Sequence, residues 1–423
     1  MGKKKKDSKL KYLIYFVVII GATVGILLYS LLKKTNYQGN EVFTYEVVKD
    51  LFKTINPYFF LAFFGILILI NFFGAFAIYM YTRLYTAKVK FMDSVATRMV
   101  YIFYNGITPG DNTGGEFAEA ATLKKQGIHI SNAASIVVTQ YIVYQFSIFI
   151  LSALSLFEIN EVLNIGILKI GSFEIPIVIF VIASFALNVL LFGSALFMSI
   201  SRRFHNFVIY KVLAFLAKIK IVKNLEKTQI GLRVSVENFR RETRRLLTNI
   251  PFTILIFLVT LIIISLNYLY PFFVGLSMGA FNDGFNVALK MWESIAFSNF
   301  QHMVVGLIPI PGGAGTSEYV FNYLFTGYYS NAFIEKGGTV ACMLVWRTFT
   351  FYIPLFMGAL AILLYRPKGQ KDFNQNIYNL DRKTFHTLQI ETYNLSVNNK
   401  VLTSEEEDEM VNTINKGDKG EWE

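Results

Sequence analysis

Runs of about twenty apolar residues, separated by short polar or charged stretches, organise this chain. A helix rises about 1.5 Å per residue, so roughly 20 apolar residues cross a hydrocarbon layer of about 30 Å. Tyr12–Leu32, Pro57–Tyr81, Asn132–Phe157, Ile177–Ile200, Ile250–Tyr270 and Val340–Tyr365 reach that length and predict six full spans. The first is preceded by six lysines and ends in Leu31-Leu32-Lys33-Lys34, without a small-residue cleavage site, so it reads as a retained anchor.

Two intervals fit neither span nor loop. In 92–130, the semi-apolar run Val95–Ile107 carries Arg98 and Asn105, then breaks at Pro109-Gly110-Asp111-Asn112-Thr113-Gly114-Gly115-Glu116. A helix-like stretch, Phe117–Gln126, follows. In 291–328, Trp292–Ile308 breaks at Pro309-Ile310-Pro311-Gly312-Gly313-Ala314-Gly315-Thr316-Ser317-Glu318 and resumes at Tyr319–Tyr328. Proline and glycine clusters break helices. Broken backbone survives in a bilayer only inside protein or beside a wet cavity. Both intervals therefore predict re-entrant hairpins of two half-helices, with Pro109, Pro309 and Pro311 as the structural breaks. Gly106-Ile107-Thr108-Pro109 aligns with Gly306-Leu307-Ile308-Pro309, and each string runs through glycine to a glutamate. One hairpin enters from each side, which predicts an inverted-topology repeat with a central site between the breaks.

Composition supports the membrane reading and narrows the chemistry. Hydrophobic residues make up 54% and charged residues only 16% of the 423, whereas soluble chains carry about a quarter charged residues. The net charge of +11 follows topology. The N-terminal 1–11 is basic, and the connection 201–249 holds 12 Lys and Arg against 3 Glu, so both are expected in the cytoplasm. Phe204–Val222 within that connection reads as a basic amphipathic helix on anionic inner-leaflet lipid. The segment 158–176 has three Glu against one Lys and is expected outside. The polar tail 366–423, with 8 basic and 11 acidic residues, reads as a cytoplasmic segment without a packed core. Nothing in this distribution calls for nucleic acid. A lone cysteine, Cys342, and four scattered histidines offer no metal-ligand spacing, and no cofactor or metal is expected.

Helix N-termini present free N–H groups that suit phosphate. At the second break, Gly312, Gly313 and Gly315 permit close backbone approach, while Thr316 and Ser317 offer caps for the next half-helix. Gly114, Gly115 and Glu116 fill the same place at the first break. Glu116 and Glu318 read either as caps or as coupling carboxylates. Arg347 lies inside the last span, where an arginine is costly unless paired. Its candidate partners are Glu318, Glu116 or a lipid phosphate, which the planar guanidinium binds through two oxygens. Arg98 reads as a second cation nearer the interface, and Asn71 and Asn188 as hydrogen bonds between helices. The expected substrate-binding set is thus Arg347, Glu318, Glu116, Gly312, Gly313, Gly315, Thr316, Ser317, Gly114, Gly115, Arg98 and Asn105.

These strings resemble a known family. Asn105-Gly106-Ile107-Thr108-Pro109-Gly110 with Gly115-Glu116 and Leu123-Lys124-Lys125-Gln126-Gly127-Ile128, then Pro309-Ile310-Pro311-Gly312-Gly313-Ala314-Gly315 with Glu318, then Arg347, are similar to the lysylphosphatidylglycerol synthase transmembrane-region family. That region is the flippase-like part of the multiple peptide resistance factor. The resemblance covers roughly 10–366. It implies movement of an anionic or aminoacylated phospholipid, or of a polyprenyl-phosphate-linked lipid, between leaflets. The 58 residues after the last span are too few for the family's aminoacyl-transferase domain, so synthase activity is not expected. One departure stands out: family members commonly place an arginine a few positions after the first hairpin's glutamate, where this chain has Ala118, Glu119 and Ala120. A membrane-embedded transferase and a scaffold for a lipid or glycan synthase are the alternatives. A second copy of the chain or a lipid synthase is the protein partner left open.

Overall fold

The computed structural model describes residues 34–37, 40–43, 57–86, 89–108, 113–158, 167–170, 173–201, 239–308, 310–335 and 337–365, with isolated positions elsewhere. The expected first span, the amphipathic Phe204–Val222, the tail 366–423, and the breaks Pro109 and Pro309 lie outside the described residues.

Among the described residues the chain is built on helices. They are α1 (Tyr58–Arg83), α2 (Phe91–Ile107), α3 (Thr113–Lys125), α4 (Ile130–Ser155), α5 (Ile177–Ile200), α6 (Ile250–Tyr268), α7 (Tyr270–Ser277), α8 (Val287–Gly306), α9 (Thr316–Phe325), α10 (Asn331–Glu335), α11 (Gly338–Arg347) and α12 (Ile353–Leu364). Tyr58–Arg83, Ile130–Ser155, Ile250–Ser277 and Gly338–Leu364 are each long and apolar enough to cross a membrane. At 26 residues α1 is about 39 Å long, more than the hydrocarbon thickness. Two short antiparallel ribbons, which the twenty-residue periodicity does not predict, pair β1 (Lys34–Tyr37) with β2 (Asn40–Phe43) and β3 (Ile167–Ile170) with β4 (Phe173–Pro176). Each pair of strands is separated by two residues, Gln38-Gly39 or Gly171-Ser172, the loop length that hairpins favour. In the second ribbon Lys169 stands opposite Glu174 in the backbone register.

Two long helices are interrupted for identifiable reasons. The expected fifth span continues beyond Tyr270 as α7, across Pro271. Ser294 of α8 enters this interruption: its Oγ donates to the Tyr268 carbonyl at 2.8 Å and accepts the Phe272 N–H at 3.2 Å. Backbone groups freed by the break are thereby satisfied inside protein. The last span widens into a π-turn at Thr348–Tyr352, directly after Arg347. Pro354 follows, and it has no N–H for the Thr350 carbonyl four residues back.

The two limbs of each broken unit pack against each other, α2 on α3 and α8 on α9. Beneath the second unit lies the main aromatic core, where Phe321 stacks on Phe325 at 4.3 Å and on Trp346 at 4.7 Å. A second core of Tyr81, Leu123, Ile136 and Ile256 anchors the base of the first unit to α4 and α6. Outward-facing Leu61, Ile68, Ile254, Leu258, Phe356 and Leu363 remain exposed, as a helix bundle surrounded by lipid requires.

Candidate functional site

Residues flanking both breaks line one cavity of about 410 Å³. Arg98, Asn105, Gly106, Glu116 and Glu119 line it from the first unit. Gln301, His302, Gly312, Gly313 and Ser317 line it from the second, and Arg347 from the last span. The two units also touch: a Cβ at Gly312 would come within 2.9 Å of the Gly106 carbonyl oxygen. With φ of 59° as well, glycine is required at 312 by conformation and by space.

The second unit closes on itself. Arg347 Nε donates to Glu318 Oε1 at 2.8 Å, with the two side chains only 7% and 9% exposed. Its Nη2 donates to the Gly312 carbonyl, its Nη1 reaches Ser317 Oγ at 3.4 Å, and its guanidinium lies 4.1 Å from the Phe351 ring centroid. The other Glu318 oxygen accepts the Gly315 N–H at 2.7 Å. A single carboxylate thus caps α9 and neutralises the arginine. Of the partners open to Arg347, its geometry selects Glu318.

This arrangement corrects the expected capping. Thr316 Oγ1 donates back to the Gly313 carbonyl at 3.1 Å, and Ser317 Oγ accepts from Gln301 Nε2 at 2.9 Å. Neither hydroxyl caps the helix, because the longer Glu318 side chain reaches the freed N–H first. Gly114 and Gly115 also differ from expectation. They face the limb α2, where a Cβ on Gly115 would come within 2.9 Å of the Tyr101 carbonyl, and neither lines the cavity. Their role is close packing of the two limbs. Asn71 and Asn188 donate to Leu67 and Ser184 of their own helices, at 2.8 and 3.0 Å, and do not bond between helices. A carbonyl four residues back is always within reach of a mid-helix amide.

The first unit is arranged differently. Arg98 lines the cavity. Its guanidinium lies 5.1 Å from the Tyr101 ring centroid, and its Nε is buried without a hydrogen-bond partner. Gly74 of α1 makes room for it, since a Cβ there would stand 2.6 Å from that Nε. Glu119, one turn after Glu116, is 3% exposed and accepts from Gln140 Nε2 at 2.9 Å. Glu119, Gly74, Gln140, Gln301 and His302 are among the cavity residues that the sequence reading does not select for ligand contact. For Glu119 a signal exists: the i, i+3 spacing from Glu116 puts both carboxylates on one helix face.

At the end where α12 stops, Gln126 Nε2 donates to Thr97 Oγ1 at 2.7 Å and to Tyr365 OH at 2.9 Å. Tyr365 OH in turn donates to Asp93 Oδ1 at 2.9 Å. The cluster ties both limbs of the first unit to the end of the last span.

Comparison with known proteins agrees with the sequence strings. The family model described as the lysylphosphatidylglycerol synthase TM region matches residues 18–358. A UPF0104 membrane protein of Pyrococcus horikoshii is 27% identical over 284 residues, which cover 65% of this chain and 78% of the relative. No solved structure matches the chain.

Proposed function

The chain belongs to the lysylphosphatidylglycerol synthase transmembrane-region family, and on that premise we propose that it is a lipid transporter. It moves a phosphate-containing lipid between the leaflets of the cell membrane. The observation that carries this reading is the single cavity lined from both broken helices, with Arg98, Glu119 and Arg347 all at its wall. Charged side chains at membrane depth are costly, and their convergence on one cavity marks a polar pathway.

The architecture proposed for this activity has six spans, with the two broken units as re-entrant hairpins in inverted repeat and both termini in the cytoplasm. The headgroup occupies the cavity while the acyl chains stay in lipid. Arg98, whose Nε lacks a protein partner, takes the phosphate. The Arg347–Glu318 pair holds the second tip in place beneath it. Rocking of one half against the other then exposes the cavity to each leaflet in turn. No catalytic group is needed, and the proposed activity is transport without covalent chemistry.

The test is a leaflet assay in liposomes reconstituted with the full chain, using labelled phosphatidylglycerol, an aminoacylated phospholipid and a polyprenyl phosphate. At least one label changes leaflet faster than in protein-free liposomes. Equal rates for all three would refute the transport reading.

A further inference from the structure

The buried charges around the cavity are unequally matched. Arg347 and Glu318 neutralise each other at 2.8 Å. Glu119 has the neutral amide of Gln140 as its hydrogen-bond partner, and among the described residues no ion pair joins it to a cation. The cation whose field reaches it is Arg98, which shares the cavity wall. The titratable and charged groups facing Glu119 are Arg98 from α2, Tyr81 from α1 and, one turn earlier on its own helix, the half-buried Glu116. From α4 comes the uncharged Gln140, with Tyr141 and Tyr144 of the same helix also lining the cavity.

Binding an anion here changes that balance. A phosphodiester on Arg98 takes away the countercharge that shares the cavity wall with Glu119. A buried carboxylate without countercharge is costly at membrane depth, and taking up a proton relieves the cost. We propose, building on the transport reading, that the chain is a lipid–proton symporter in which each anionic headgroup on Arg98 travels with one proton on Glu119. The proton comes from water on the side where the lipid enters. It forms an O–H bond on the Glu119 carboxylate and leaves to water on the far side; no other bond changes. Linkage is reciprocal, so protonation of Glu119 tightens lipid binding, and binding weakens as the pH rises through its titration. The lipid carries one negative charge and the proton one positive charge. Their joint movement is electroneutral, driven by a pH difference and indifferent to membrane potential.

The experiment uses the full chain in liposomes with labelled phosphatidylglycerol in one leaflet, a lumenal pH dye and a clamped potassium potential. A gradient of one pH unit, acidic on the side of the labelled leaflet, is expected to shift the final leaflet ratio about tenfold. A potential of about 100 mV, worth about 2.3 kcal/mol per charge on an uncompensated ion, is expected to leave it unchanged. In Glu119→Gln the lumenal pH signal disappears, and any remaining lipid movement becomes voltage-sensitive. Wild-type lipid movement that follows voltage and ignores the pH gradient would overturn the proton coupling while leaving transport intact. That comparison needs no variant to fold. Persistent proton flux in Glu119→Gln would overturn it equally. Absence of any lipid movement in the wild type would instead overturn the transport reading and the coupling with it.

Discussion

At the second break every strong charge is closed on a neighbour: Arg347 on Glu318, Ser317 and Gly312, and Glu318 on Gly315. At the first break Arg98 keeps a buried Nε without a partner, and Glu119 has an amide where a cation would be. The two units share a plan of helix, break and helix but differ in what their charges do. A closed pair stabilises a tip and fixes its backbone. An open pair leaves electrostatic work for a ligand. The same cavity therefore has one wall that is set and one wall that can respond.

Breaking the closed pair has the largest expected effect. Arg347→Ala leaves Glu318 buried without its cation and should cost about 3–5 kcal/mol, read as a lower melting temperature in detergent. Arg347→Met with Glu318→Gln keeps an acceptor for the Gly315 N–H, and most of that loss should return. A double variant as unstable as the single one would remove the distinction between the two units. Next comes Gln140→Leu, which strips Glu119 of its donor and should cost about 1–3 kcal/mol. Melting with Glu119→Leu added checks it, since removing both polar groups should restore much of the loss. Gly74→Ala pushes against Arg98 and should cost about 1 kcal/mol, because a flexible side chain can move aside. Its lipid transport should fall further than its stability. Arg98→Ala should change stability least, by under about 1 kcal/mol, since its Nε bonds no described residue and Glu119, left without that countercharge, relieves its burial by taking up a proton.

The sequence reads well where the signal is local. Glycine and proline place the breaks, and helices α2, α3, α8 and α9 lie on either side of them. It also names Glu318 among the partners open to Arg347. It reads poorly where the outcome depends on packing between elements. Arg98 looks interfacial by its position in the run, yet Gly74 on another helix creates the space that holds it at the cavity. Glu119 looks like an ordinary residue of a polar half-helix, and its burial arises from α4 packing across it. Thr316 and Ser317 are good caps by type, but Glu318, next along the chain, takes the Gly315 N–H. The ribbon at 167–176 is two short strands, Ile167–Ile170 and Phe173–Pro176, which a search for long apolar runs passes over.

The most direct test of the account compares Arg98→Ala with the double variant Arg347→Met/Glu318→Gln in the liposome leaflet assay, at matched protein density and with folding checked by melting. The account predicts that Arg98→Ala folds normally and moves no lipid above the protein-free rate, whereas the double variant, though less stable, still moves it. Wild-type rates in Arg98→Ala, or a folded double variant without lipid movement, would contradict the assignment of the open unit as the headgroup site.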